Sequence, residues 1–233
     1  VRRLAQQLES GNVQLRREAA MALGRASFAP SVAVLARALE RDSDARVRLA
    51  IVRALRHIVF RRFPGYPQAL QALGRACDDA HQTDELVRLR ASEALWEAGS
   101  KDLLDPVPFL ERNLTDTSLR LRLSAVQMLR KLGTPATVDP LGRAAMDASQ
   151  PETIRLRALG ALGAVSLSDP GPAGRQVSTA NLRATDLIRV PALESEGSFR
   201  LRHQRQIAYL AAVVGDPGNS ATLVLRAVKS MGQ

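Results

Sequence analysis

The sequence predicts an all-α fold, a right-handed α-α superhelix of about six helical pairs plus a terminal helix. Three observations predict it. The first is a recurring phrase: an apolar residue then Arg, a small or aliphatic residue three positions on, and usually Ala-Leu three and four beyond that. It reads Leu15-Arg16, Ala19, Ala22-Leu23 and then Val47-Arg48, Ile51, Ala54-Leu55. It returns as Val87-Arg88, Ala91, Ala94-Leu95, as Leu121-Arg122, Ala125, Met128-Leu129, and as Ile154-Arg155, Ala158, Ala161-Leu162. A worn sixth copy is Leu201-Arg202, Arg205, Ala208-Tyr209. A unit repeated at this period buries its apolar face on its neighbours in a stack. The second observation is the spacing within a copy, which puts Leu15, Ala19, Ala22 and Leu23 on one stripe of a 3.6-residue helix. The third is composition. The chain is 45% hydrophobic but only 3% aromatic, the make-up of closely packed helices, and no segment alternates long enough to be a strand.

Each element has its own justification. Four residues before the phrase arginine stands Asn12, Asp44, Asp84, Ser118 or Ser198, all residue types that cap a helix N-terminus. The fifth copy has Pro151 there, which suits a first turn. Gly99, Gly133 and Gly215 follow the third, fourth and sixth of these helices as C-caps do. Shorter amphipathic helices precede the phrases, over 1–8, 31–40, 67–77, 104–114, 138–146 and 177–188, each ending in a polar turn. The unit is therefore first helix, turn, second helix. One domain over 1–233 is expected, with repeats at about 1–28, 29–62, 63–100, 101–134, 135–167 and 168–215 and a final helix over 216–233. The phrase arginines are spaced by 32, 40, 34, 33 and 47 residues, so insertions fall around 60–67 with 78–85, and around 168–174 with 191–197.

This pattern resembles the HEAT-repeat family, in particular its short bacterial form, the PBS-lyase HEAT-like repeats. The resemblance implies an armadillo-like solenoid. It also implies that turn aspartates and the arginines of the second helices form ladders between repeats. The repeated arginines are Arg16, Arg48, Arg88, Arg122, Arg155 and Arg202. They are expected to be structural, paired with turn carboxylates such as Asp44, Asp84 and Asp116, because a stacking device must occur in every unit.

The net charge is +10, and residues 1–62 hold 13 arginines against 5 acids. That surplus centres on Arg46, Arg53, Arg56, Arg61 and Arg62. Arg46 and Arg53 nearly superimpose on a helix, with Arg56 about 80° away from Arg46. The block reads either as a solvated face or as an anion-binding patch for nucleic acid, an acidic protein or an anionic membrane surface. Sparse aromatics weaken the nucleic-acid reading, since single-strand binders interleave stacking rings with their cations. Phe60, Phe63 and Tyr66 form a small apolar group that either closes over the stack or meets a partner. His57, His81 and His203 have no metal-ligand spacing, and Asp78, Asp79, Asp84 and Glu85 lack the spacing of a calcium loop. No catalytic residue, metal site or cofactor motif is expected. Gly160 and Gly163 read as close helix packing. Cys77 stands alone and is expected to be buried and inert. No stretch of about 18 apolar residues occurs, so no membrane span is expected, and a cytoplasmic location is.

The function expected is a non-enzymatic scaffold or adaptor that binds a protein partner. The alternative is a nucleic-acid-binding solenoid using the basic N-terminal face. The resemblance brings in the HEAT-like DNA glycosylases of alkylation repair, which place an acidic residue between Trp residues in a cationic groove. This chain has one Trp, Trp96, and no such pairing, so glycosylase chemistry is not expected.

Overall fold

The computed structural model describes residues 2–26, 28–78, 82, 84–165 and 197–231, the side chains of 197–203 excepted. All regular structure among them is helical. The elements are α1 (Arg2–Leu8), α2 (Val13–Arg25), α3 (Ala29–Arg41), α4 (Ala45–Phe60), α5 (Tyr66–Ala76) and α6 (Glu85–Gly99). Then follow α7 (Val107–Asn113), α8 (Leu119–Leu132), a 3-10 turn at Pro135–Thr137, α9 (Val138–Met146), α10 (Glu152–Leu162), α11 (Gly197–Gly215) and α12 (Ala221–Met231). The chain belongs to two compact units, Val1–Arg122 and Leu123–Gln233.

In the first unit the second helices form one layer, with α2 packed on α4 and α4 on α6, while α3 packs on α5 in the other. Most phrase residues form the core between the layers: Leu23, Ile51, Leu55 and Leu95 are fully buried, as are Ala19, Ala54, Ala91 and Ala94, while Leu15, expected on the same stripe, is exposed. The caps act as expected. Asn12 Oδ1 accepts the Gln14 N–H at 2.8 Å, Asp44 Oδ1 accepts that of Arg46 at 2.8 Å, and Asp84 Oδ1 accepts that of Val87 at 3.1 Å. Each satisfies an amide that the helix itself leaves unpaired. Small residues set the helix separation. A Cβ at Gly24 would lie 2.7 Å from the Ala54 Cβ, so α2 and α4 meet almost backbone to backbone there. Cys77 is buried, its Sγ donates to the Gly74 carbonyl at 3.1 Å, and burial pushes the thiol up to about 12. At that value no thiolate forms near neutrality, so the residue is inert in the fold.

The helix ends differ from expectation at two places. Gly133 does adopt the left-handed conformation after α8, with φ +56°. Gly99, by contrast, lies inside α6, where the Pro106 ring occupies the space a Cβ would need. The left-handed residue after α6 is Asp102, with φ +55°. Its N–H donates to the Gly99 carbonyl and that of Leu103 to the Ala98 carbonyl. The same double closure ends α4, where Arg62 has φ +50°. Gly215 closes α11 without a positive φ.

In the second unit α9 packs on α10, α11 on α9, and α12 on α10. The last two helices therefore exchange the roles expected for them: α11 lies in the layer of first helices, and α12 in the layer of second helices. Arg155 fixes this. Its Nη2 donates to Asn219 Oδ1 in the turn before α12, the turn whose Ser220 Oγ accepts the Leu223 N–H at 3.3 Å. Ser198, expected as a cap, falls within the first turn of α11. Gln206 donates to the Leu162 carbonyl, and Arg205 on α11 pairs with Asp139 on α9 at 2.8 Å. The expected helix over 177–188 lies outside the described residues.

Gly24→Ala is expected to cost about 1–3 kcal/mol of stability, because the added methyl meets backbone atoms that cannot turn aside. Gly11→Ala, with nothing within 4 Å of its added carbon, is the control. Urea unfolding of both variants checks this, and equal midpoints would refute the close-approach argument.

Candidate binding surface

The recurring arginine sits four residues past each cap, so its side chain leaves the first turn sideways toward the neighbouring repeat. Two copies show the full arrangement. Arg16 Nη1 donates to the Ser10 carbonyl at 2.9 Å, while Nε and Nη2 donate to the two oxygens of Asp42 at 2.7 and 3.1 Å. Arg88 Nη1 donates to the Gln82 carbonyl at 2.8 Å, and Nε and Nη2 each reach an Asp116 oxygen at 2.9 Å. The planar guanidinium thus joins its own turn to the next one through a two-pronged carboxylate contact. The Arg88 and Asp116 side chains are 5% and 3% exposed.

The carboxylate used is two residues before the next cap, not the cap itself. Asp42 and Asp116 also accept the N–H of Asp44 and Ser118, at 2.9 and 2.7 Å. Asp116 is therefore the partner expected, but Asp42 replaces the expected Asp44. In the third repeat Gln82 holds this position and accepts the Asp84 N–H at 3.1 Å. Lacking a carboxylate there, Arg48 donates to the Asp42 carbonyl at 2.7 Å and lies 3.7 Å from Asp84, the expected residue, with its Nε unpartnered. Arg122 also has a buried Nε without a hydrogen-bond partner. Arg155 donates through Nε to the Ala145 carbonyl at 2.9 Å as well as to Asn219. The side chain of Arg202 lies outside those described.

The basic block occupies the exposed side of α4 and its C-terminal end. Arg46 is bonded to Asp44 at 2.7 Å and holds that carboxyl well below the usual carboxylate range. Arg56 reaches across to Glu97 on α6 at 2.6 Å, with its guanidinium 5.2 Å from the Phe60 ring centre. Lys101 Nζ lies 4.3 Å from the same centre, so Phe60 serves two cations. Arg53, Arg61 and Arg62 are exposed and make no ion pair among the described residues. The patch expected as a unit is therefore divided: Arg46 and Arg56 are engaged, and three cations remain. Arg62 is held in a left-handed conformation that costs a non-glycine residue about 1–2 kcal/mol.

The other candidates take structural places. Phe63 and Tyr66 pack on the core, and His57 meets Phe63 edge-on at 5.6 Å, so the insertion closes over the first unit. Asp78 pairs with Arg112 at 3.5 Å, Glu85 lies 3.7 Å from Arg120, and Asp84 caps α6. Asp79 and His81 lie outside the described residues. Among the described residues no cluster of His, Cys, Asp or Glu is placed to hold a metal, and no helix is long and apolar enough to cross a membrane.

Removing one member of the Arg88–Asp116 pair leaves a buried charge alone. Asp116→Ala is expected to cost about 3–5 kcal/mol, while Arg88→Met with Asp116→Leu recovers most of the loss. Thermal unfolding of the single and double variants checks it. A single variant as stable as the parent would remove the pair from the stacking machinery.

A solved structure of human deoxyhypusine hydroxylase in complex with glycerol is 17% identical, with a TM-score of 0.46 over 98% of this chain and 82% of that one. No curated protein matches. The family model for HEAT repeats matches residues 1–84 and 80–163. The five arginine phrases from Arg16 to Arg155, the paired helices and this match agree: the chain belongs to the HEAT-repeat family.

Proposed function

We propose that this HEAT-repeat chain is a non-enzymatic adaptor that holds a protein partner on the exposed side of its second helices. The observation that carries the reading is the charge pairing on that side. Arg46 is matched by Asp44, Arg56 by Glu97 and Arg90 by Glu93, so cations and carboxylates are interspersed. A mixed, half-neutralised face complements another folded surface better than it does a continuous line of phosphates. The exposed Leu15 and Met21 on α2 add apolar contact area of the kind protein interfaces use. Catalysis plays no part in the reading.

A second reading, nucleic-acid binding, is favoured by one observation: Arg53, Arg61 and Arg62 are exposed and make no ion pair among the described residues, and Arg62 keeps a strained backbone where glycine would sit freely. The two readings separate by salt dependence. Fluorescence anisotropy with labelled duplex and single-stranded DNA is expected to show binding that disappears between low and near-physiological salt. Micromolar binding that survives, and is abolished by Arg53→Glu with Arg61→Glu and Arg62→Glu, would replace the adaptor reading by the second. Arg62→Gly is expected to raise stability by about 1 kcal/mol in urea unfolding by relieving the left-handed strain.

A further inference from the structure

The second unit has a groove of about 450 Å³ over α8, α10 and α12. Its aliphatic lining is Leu123 and Val126 from α8 and Leu156 from α10. Three arginines line it too, one from each helix: Arg130, Arg157 and Arg226. All three are exposed, and none makes an ion pair among the described residues. Among the described residues no carboxylate lines the groove. The contrast with α4 is plain, since Arg46 and Arg56 there are each met by an acid. Like charges gathered in a concave site with an apolar floor raise the local potential and are relieved only by an anion.

The backbone is arranged around one of these cations. Gly160, in the last turn of α10, stands where a Cβ would collide with the Arg226 guanidinium. Glycine within a helix is less favourable than alanine, and here the space it opens is filled by a side chain rather than by a neighbouring helix backbone. Gly163, the other glycine of the pair, does serve helix packing, with the Ser230 side chain 2.5 Å from its would-be Cβ. Ser230 Oγ also donates to the Leu159 carbonyl at 3.2 Å, and Arg155 holds the turn before α12 through Asn219. The helix bearing Arg226 is thus pinned, and Gly160 lets its guanidinium lie along the groove floor.

We infer that this groove binds an acidic peptide segment, with one aliphatic side chain on the Leu123–Val126–Leu156 floor and flanking carboxylates on Arg130, Arg157 and Arg226. The floor needs an apolar group and the rim needs anions, a combination that an acidic peptide supplies within a few residues. A nucleic-acid strand would bring phosphates but no aliphatic group, and the lining offers no ring for a base to stack on. The inference rests on the adaptor reading only in taking a protein segment as occupant; the groove lies in the other unit from α4.

The test uses the full chain and a fluorescein-labelled peptide in which one Leu is flanked on each side by two Glu, followed by anisotropy at near-physiological salt. Binding is expected, weakened at least tenfold by Arg157→Glu with Arg226→Glu. Gly160→Ala keeps every charge and favours the helix, yet is expected to weaken binding several-fold by displacing Arg226. Replacing the peptide Leu by Ser, or its Glu residues by Gln, is expected to weaken binding as strongly. No binding by the parent chain, or full binding by the double variant, overturns the inference. So does displacement of the peptide by a thymidine oligonucleotide at lower concentration than by unlabelled peptide, which would make the groove a nucleic-acid site. Arg3→Glu, an exposed change on α1, is expected to leave peptide affinity unchanged. Loss in Arg53→Glu with retention in Arg157→Glu, Arg226→Glu would assign the acidic segment to α4, leaving the adaptor reading intact and the groove without a ligand.

Discussion

The stack depends on a buried guanidinium that must be satisfied on both sides. Arg16 and Arg88 each hold a carbonyl of their own turn and a carboxylate of the next. At these two copies the desolvated cation fixes the two turns at one separation and one orientation, whereas Arg48 and Arg122 each keep a buried Nε without a partner. The carboxylate is constrained in its turn, because Asp42 and Asp116 also accept the N–H of the following cap residue. Stacking, turn shape and the start of the next second helix are therefore settled together by one side chain. Lysine cannot replace it, having neither the planar fork nor enough fixed donors.

That commitment shapes what is left for recognition. Arginines spent on stacking offer little to a ligand, so any binding surface must come from the positions between them. On α4 those positions are partly neutralised by Asp44 and Glu97. Over α10 they are not: Arg157 and Arg226 make no ion pair among the described residues. The side of α4 is thus partly neutralised, while the charged residues lining the groove over α8, α10 and α12 are, among those described, all cations.

Much of the fold was legible because its determinants are local. Helical spacing and cap residues located α2, α4, α6, α8 and α10, and α9 was expected over 138–146, as found. The misses share a cause. Both Asp42 and Asp44 are good cap residues by type, and only the position of the neighbouring arginine selects Asp42 for the ion pair. Asp102 closes α6 in a conformation that composition does not mark, whereas Gly99 carries the mark and serves to admit Pro106. The sixth phrase at Leu201-Arg202 has the right spacing, yet Asn219 accepts the Arg155 bond that assigns α12 to the second layer. Of the candidate patch, the sequence told that Arg46, Arg53 and Arg56 share a side of one helix but not that Glu97, some forty residues on, answers Arg56. The groove was illegible for the same reason. Its arginines come from three separate helices, and its one linear trace, Gly160, is indistinguishable in sequence from a packing glycine.

The meeting of α2 and α4 also bears on how this chain can drift. Position 24 holds the smallest residue there is, and it faces Ala54, the next smallest, whose backbone lies as close as its side chain. Coupled replacement, in which one partner shrinks as the other grows, has almost no room to operate: exchanging the two would leave a methyl in the same gap, now anchored on the opposite helix. Descendants of this sequence should thus hold both positions while the surfaces on either side diverge, so that the crossing behaves as a fixed hinge pin of the lineage around which binding specificity is free to change.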